Sequence, residues 1–556
     1  MIHNFTREDN FVRKLEHCVK TFWDAPALED YRGETQTYGQ FASELEKNVL
    51  LWRAAGLRKG DKVALNARSS ASWARIFFST QVGEFVSVQI FNGFMPADTA
   101  GLVNHAEVRI LYTEKATFCR MDFESMPLLI AAIDANTGCL LASRGNFAEL
   151  YGRRGEIFSE AHPGGYTAAD VHYPEVPFDA LAAIMYTSGS TGNPKGVMLT
   201  NLNFSANIYM IVNHFPYRSG ECYVSVLPYC HIFGMVYDMM EPLCSGMHLV
   251  VLGIPPVPSN LLPALKKFRP RIFFSVPLIL TKLMEHTLGK EISSREGAAK
   301  LAAYKDNPEY CRSLADKFLE AMGGGIEVFV TGGAAIPENL ERLFVEKLRL
   351  PFITGYGMTE TAPTISLGEV GDYRLRECGK WLHEILDLKI DSPDPAAVPG
   401  EILVKGPVLF AGYYKNDDAT RAVMTSDGWF RTGDVATVDS RRSLFIVGRC
   451  KNMILNSSGQ NIFPEEIQVV LDSLPYVAES LVIEKEGKPF AIIVPNGDAA
   501  ALSDLTDADL HEIMVRNIQL LNDRIPAYSA VAGFRLQKEP FAKTPKGSIR
   551  RYLYTE

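Results

Sequence analysis

Short apolar runs alternate with helix-period stretches along this chain as far as about Gly400. Val63 to Leu65, Ser87 to Ile90, Ile110 to Tyr112, Tyr223 to Leu227, Leu249 to Leu252, Ile272 to Phe274 and Glu327 to Val330 read as strands. Ser72 to Val82 and Ser259 to Phe268 read as helices between them. That alternation predicts an α/β fold with mixed, mostly parallel sheets. From about Gly400 the pattern becomes β-rich, with Glu401 to Val404, the turn Gly406-Pro407 and Phe445 to Val447. The texture changes again near Gly448 to Lys451. The prediction is a large N-terminal domain over 1–449, carrying a β-rich subdomain, and a small mobile α+β domain over 450–556. The small domain has candidate helices at Pro464 to Leu471 and Asp507 to Asn522, and candidate strands at Ser480 to Ile483 and Pro489 to Val494. No repeat or low-complexity tract interrupts the chain.

Composition narrows the classes. A chain of 556 residues is too long for one core, so two or more domains are expected. A formal net charge of −9 argues against a general nucleic-acid binder. The nine cysteines are scattered, with no C-x-x-C pair, which suggests neither a zinc site nor a disulfide framework. The N-terminus shows no apolar signal region, and no apolar run approaches the length of a membrane span. A cytoplasmic, reducing compartment is expected. Peripheral membrane contact through a substrate and a homodimeric assembly are both left open.

The densest chemistry lies in Tyr186-Thr-Ser-Gly-Ser-Thr-Gly-Asn-Pro-Lys-Gly-Val197. Gly189, Gly192 and Gly196 let backbone N–H groups approach phosphate oxygens. Thr187, Ser188, Ser190 and Thr191 can donate hydroxyl hydrogen bonds, and Lys195 adds a point charge. Leu181 to Met185, just before it, are apolar and strand-like, so the loop is expected to leave the end of a buried strand. A Walker A loop is excluded, because Pro194 stands before the lysine and Gly196 after it.

Four further segments follow in order: Leu227-Pro-Tyr-Cys-His-Ile-Phe-Gly234, Gly355-Tyr-Gly-Met-Thr-Glu360, Thr432-Gly-Asp434 behind Asp427-Gly-Trp-Phe-Arg431, and Asn456-Ser-Ser-Gly-Gln-Asn-Ile-Phe-Pro-Glu-Glu466. With the glycine-rich loop they resemble the adenylate-forming superfamily, and most nearly its acyl-CoA synthetases. Thr37 to Phe41, Leu102 to His105, Gly400 to Pro407 and Gly412 to Asn416 extend the likeness over nearly the whole chain. The resemblance implies an AMP-forming ligase that uses ATP, Mg²⁺ and coenzyme A. Tyr356 and Gly357 would meet adenine, with Gly333 and Ala334 in the small-residue loop at the edge of the base. Thr359 would bond the α-phosphate, and Glu360, with Thr187, would face Mg²⁺. Asp434 and Arg449 would hold the ribose. His231 would line the acyl pocket. Lys451 would be the hinge, and Gly459 would lie beside the pantetheine tunnel.

Two features refine that expectation. Amino-acid-activating relatives carry an aspartate directly after the phenylalanine of the His231 segment. Gly234 stands there instead, which speaks against an α-amino acid, and with the resemblance of Gly400 to Pro407 and Gly412 to Asn416 it implies a medium- or long-chain fatty acid. Met235, Met239 and Met240, just beyond, fit core better than pocket. Near the C-terminus the family's adenylation lysine is replaced by Ser548. Lys546, or else Lys543, is expected to supply the charge. Alternatives are an enzyme that loads an acyl carrier protein, and a binding homologue with weakened catalysis.

Overall fold

The computed structural model describes residues 2–187, 194–215, 217–455, 461–496, 506–543 and 549–554. An eight-stranded sheet forms the first layer, in the order Gly412–Tyr413, Lys195–Thr200, Leu181–Thr187, Val86–Gln89, Lys62–Asn66, Val108–Thr113, Ala131–Asp134 and Leu140–Ser143. The five strands from Leu181–Thr187 to Ala131–Asp134 run parallel. Val86–Gln89 is buried along its whole length, as expected of a parallel strand covered on both faces. The outer strands run antiparallel.

A second sheet has five strands. Ile272–Ser275, Val328–Thr331 and Phe352–Gly357 are parallel, and Thr364–Leu367 then turns back against Phe352–Gly357. Asp387–Asp391, Gly400–Lys405, Phe430–Val438 and Leu444–Arg449 make the antiparallel β-rich unit. Beyond residue 461, helices Pro464–Asp472 and Asp507–Asn522 cover the sheet Val477–Lys485, Lys488–Pro495 and Gly533–Leu536. Leu471, Val482, Ile493, Met514 and Leu521 give this smaller unit a core of its own.

Most of the expected elements lie within one or two residues of their predicted ends. Two local readings change, and two segments gain a local structure. Thr187 and Lys195 belong to strands rather than to a loop, because the two pair directly and close an antiparallel hairpin. Tyr356 and Gly357 end a strand. Thr359 opens a short 3₁₀ turn. The strand at Tyr223 ends at Ser225, since Asp238 captures the next two backbone N–H groups.

Candidate active site

The hairpin of Leu181–Thr187 and Lys195–Thr200 carries the first group. A Cβ on Gly196 would stand 2.9 Å from Ile184 and 3.3 Å from Cβ of Tyr414, so this glycine lets three strands close up. Behind the hairpin base, the Tyr186 hydroxyl and His105 Nδ1 are 2.6 Å apart. Lys415 reaches the His105 carbonyl at 3.0 Å and the Glu107 carboxylate at 2.9 Å. Burial, with the nearby Lys415 ammonium, holds the His105 imidazole below its ordinary pKa, so it stays neutral near pH 7. Ser188, Gly189, Ser190, Thr191 and Gly192 lie outside the described residues.

After the hairpin, helix Asn201–His214 starts on a reciprocal cap between Thr200 and Asn203. The Asn203 amide also donates to the carbonyls of Pro407 and Leu409, each at 2.8 Å. That grip fixes the segment leading to Gly412–Tyr413, which pairs with Val197 and Met198 at the sheet edge. Tyr413 then donates a 2.8 Å hydrogen bond to Glu360 Oε1, and the Phe410 N–H donates to the Glu360 carbonyl at 2.9 Å. The Lys195 ammonium lies over the Tyr413 ring, 4.9 Å from its centre. Thr359 and Glu360 are both buried.

A magnesium ion fits this corner. Mg²⁺ takes oxygen donors and is commonly held by one or two carboxylates plus substrate phosphates. Glu360 offers one buried carboxylate, oriented by the Tyr413 hydroxyl. Among the described residues no cluster of three acidic, histidine or cysteine side chains forms a self-sufficient cage.

The second group gathers on the neighbouring strands. Asp434 lies inside strand Phe430–Val438, directly opposite Arg449 in register. Its Oδ1 is 2.9 Å from Arg449 Nε, and its Oδ2 accepts from the Tyr356 hydroxyl at 2.7 Å. Burial raises the Asp434 carboxyl, while Arg449 and Tyr356 pull it back down. The loop Gly332 to Ala334 stands close by. A Cβ on Gly332 would press on the Gly355 carbonyl at 3.2 Å, and Gly333 sits at φ +77° with Ala334 exposed beside it. Gly357 has no alternative, since its Cβ would fall 1.9 Å from the Pro363 carbonyl oxygen. Thr187, Gly332 and Gly357 all sit at or just past the carboxyl ends of parallel strands, where open α/β sheets bind ligands.

The third group surrounds His231. Its ring stacks on Phe91 at 5.5 Å and 18°. Asp238, wholly buried, accepts from the Tyr223 and Ser225 hydroxyls and from the N–H groups of Val226 and Leu227. It anchors the start of the His231 segment, a role invisible in the sequence reading. Gly234 is sterically required, because a Cβ would stand 2.4 Å from the Pro228 carbonyl oxygen. Met235, Met239 and Met240 are fully buried in the main core. Phe233 lies against Gly332 and packs edge-on to Phe274 at 5.8 Å, which stacks on Tyr237 at 5.4 Å. Phe233, Phe274 and Tyr237 therefore form an apolar wall beside Gly332.

Lys451 sits in the short turn Cys450–Asn452 between the two units. Desolvation and the Arg449 guanidinium pull its ammonium below the ordinary lysine pKa. Arg551 from the C-terminal segment pairs with Glu465 at 3.5 Å, so the last residues return to this turn. Lys543 is paired with Glu479 at 2.6 Å on the small sheet. Gly459, Lys546 and Ser548 lie outside the described residues. Tyr413, His105 and Asp238 were missed as site residues. Only Tyr413 and His105 had a signal, inside the matching stretches Gly412 to Asn416 and Leu102 to His105.

A long-chain-fatty-acid–CoA ligase, FadD15 of Mycobacterium bovis, is 26% identical over 94% of this chain and 90% of its own length. The peroxisomal long chain acyl-CoA synthetase 6 of Arabidopsis thaliana is 26% identical, covering 91% of this chain and 76% of that relative. Among solved structures, the anthranilate CoA ligase AuaEII in complex with anthranoyl-AMP superposes with a TM-score of 0.78 at 21% identity, covering 99% and 98% of the two chains. ATP-bound MatB from Rhodopseudomonas palustris gives 0.76 at 20% identity, covering 98% of each. These two structures speak for the fold alone. The model of the AMP-binding enzyme family matches residues 15–414, and that of the AMP-binding enzyme C-terminal domain matches 451–556. This chain therefore belongs to the AMP-binding enzyme family.

Proposed function

We propose that this protein is an AMP-forming acyl-CoA ligase whose acid is a medium- or long-chain fatty acid. The observation that carries the reading is a pair of clusters built on the strand Phe352–Gly357 and the turn Thr359–Thr361 that follows it. Lys195, Tyr413 and Glu360 form one, and Tyr356, Asp434 and Arg449 form the other. The first suits a charged triphosphate and the second an adenosine.

In the first half-reaction the fatty acid carboxylate attacks the α-phosphorus of ATP. A new P–O bond forms, the bridge to the β-phosphate breaks, and pyrophosphate leaves with the electron pair. Lys195 offsets the charge gathering on that leaving group, and Thr359 donates to the α-phosphate. Magnesium, when bound at Glu360, supplies Lewis-acid neutralisation of the phosphates. Asp434 and Arg449 fix the ribose, and Tyr356 stacks on the base. The protein thus contributes position and electrostatics, with no covalent step of its own.

In the second half-reaction the coenzyme A thiolate attacks the acyl carbonyl. A C–S bond forms, the C–O bond to AMP breaks, and AMP departs. The reading gives the chain two units, 1–449 and 450–556, with Lys451 as the hinge that exchanges the Lys546 segment for the Gly459 segment. The acyl tail would run along the Phe233 wall beyond His231, away from the nucleotide. The absence of an ammonium anchor at Gly234 and the long-chain ligases among the relatives support a fatty acid. Nine free thiols suit a reducing compartment, the cytoplasm. Among the described residues no helix is long and apolar enough to cross a membrane.

The test is pyrophosphate release from ATP and Mg²⁺ with a series of fatty acids, with and without coenzyme A, and mass spectrometry of the products. Release with acyl-CoA formation is the expected result. ATP binding without release for any acid would reject the ligase reading.

A further inference from the structure

Tyr413 has no role in the motif reading, yet the nucleotide corner is organised around it. Its hydroxyl donates to Glu360 Oε1 at 2.8 Å. Its ring face carries the Lys195 ammonium at 4.9 Å. One buried side chain thus touches both groups that meet the polyphosphate and its metal.

The backbone leaves this ring little freedom. Tyr413 pairs with Val197, two residues beyond Lys195 on the hairpin strand. The N–H groups of Ala411 and Tyr414 donate to the Met198 and Gly196 carbonyls at 2.9 and 2.7 Å. The Tyr413 N–H donates to the Thr420 hydroxyl at 2.9 Å. Phe410 packs edge-on at 4.9 Å, and its N–H holds the Glu360 carbonyl. The tyrosine is therefore a strut between the hairpin edge and the turn that bears Glu360.

We propose that Tyr413 is a positioning residue for the nucleotide–metal site. Its hydroxyl holds Oε1 of Glu360 and would leave the other carboxylate oxygen for a metal ion. Its ring parks Lys195 away from that carboxylate until the triphosphate arrives. The inference rests on the ATP–Mg²⁺ reading given above.

Two physical reasons support the assignment. A ligating carboxylate rotates freely unless an outer partner orients it, and such partners set metal affinity. A lysine and a glutamate this close to a common ring attract each other strongly in a low dielectric. A direct ion pair would have to break each time nucleotide bound, whereas an aromatic face is a resting place that phosphate oxygens outcompete.

The test compares wild type, Tyr413→Phe and Tyr413→Leu by calorimetric titration with ATP, in Mg²⁺ and in EDTA. The measured quantity is the factor by which Mg²⁺ tightens ATP binding. Tyr413→Phe should reduce that factor about tenfold or more while leaving metal-free ATP binding nearly unchanged. Tyr413→Leu should lose the same factor and also weaken metal-free binding, because Lys195 loses its platform. In a Glu360→Gln background, Tyr413→Phe should have no further effect on the Mg²⁺ factor. Equal weakening with and without Mg²⁺, or an unchanged factor in both variants, would overturn the inference while leaving the ligase reading intact. Absence of any Mg²⁺ effect in wild type would overturn both.

Discussion

The hydroxyl of Tyr356 donates to Oδ2 of Asp434, joining a strand end of the parallel sheet to the antiparallel unit. Arg449 occupies the other oxygen of the same carboxylate. In the proposed reading the base platform and the ribose anchor are therefore one assembly.

That assembly predicts unequal effects of two substitutions. Asp434→Ala should raise the KM for ATP about 10- to 100-fold, the usual worth of hydrogen bonds to a charged group. Tyr356→Phe keeps the ring and should raise it by less than about fivefold. Equal effects in initial-rate measurements would mean that the hydroxyl, rather than the ring, is what matters. Because burial raises the Asp434 carboxyl, ATP affinity should decline on acidification at a higher pH than for an ordinary aspartate.

Lys195 sits on a strand, supported by backbone pairing that its side chain does not provide. Lys195→Met should leave the melting temperature unchanged and slow pyrophosphate release by about 10² to 10³, the cost of losing one preorganised electrostatic contact. Unaltered single-turnover adenylation would remove Lys195 from the mechanism.

The C-terminal lysines should separate by half-reaction. Lys543 is already paired with Glu479, which favours Lys546 as the group that replaces the charge missing at Ser548. Lys546→Ala should depress acyl-adenylate formation far more than thioester formation from preformed acyl-adenylate, and Lys543→Ala should do neither. Equal loss in both half-reactions for Lys546→Ala would contradict this.

Gly234 is fixed by space as well as by substrate. Gly234→Ala must displace the Pro228 carbonyl, a clash expected to cost about 1–3 kcal/mol. Denaturant unfolding should register that loss. Gly234→Asp should not create an amino-acid-activating enzyme, since the backbone has no room for the new side chain. A folded Gly234→Asp protein of wild-type stability would refute the steric argument.

Buried Glu241 gives stability a pH signature. Burial lifts its carboxyl from 4.5 to about 8. The folded state holds a proton that the unfolded chain has already released, so this contribution is complete below about pH 4.5 and is lost as pH rises through about 8. The slope should approach about 1.4 kcal/mol per pH unit within that window. Glu241→Gln should flatten the thermal-stability profile between about pH 5 and 8. An unchanged profile in the variant would show that another group carries the dependence.

Local pattern sufficed for much of the architecture. Helix Asp507–Asn522 and strand Ile272–Ser275 are legible because period and burial agree within a single segment. The motifs around Lys195, Glu360 and Asp434 were legible through their order along the chain and their resemblance to a known family. Tyr223 to Leu227 was read too long, because the strand is cut short by Asp238, whose side chain arrives from further along the chain.

The sequence by itself determined the α/β alternation, the identities of the polar groups and their order. It could not say that Tyr413 supports Glu360, that Tyr356 is bound to Asp434, or that Gly234 faces a carbonyl. Those facts come from pairings between strands distant in sequence, such as Tyr413 with Val197 and Asp434 with Arg449. Register between distant strands is set by how their buried faces fit together, and no local propensity encodes it.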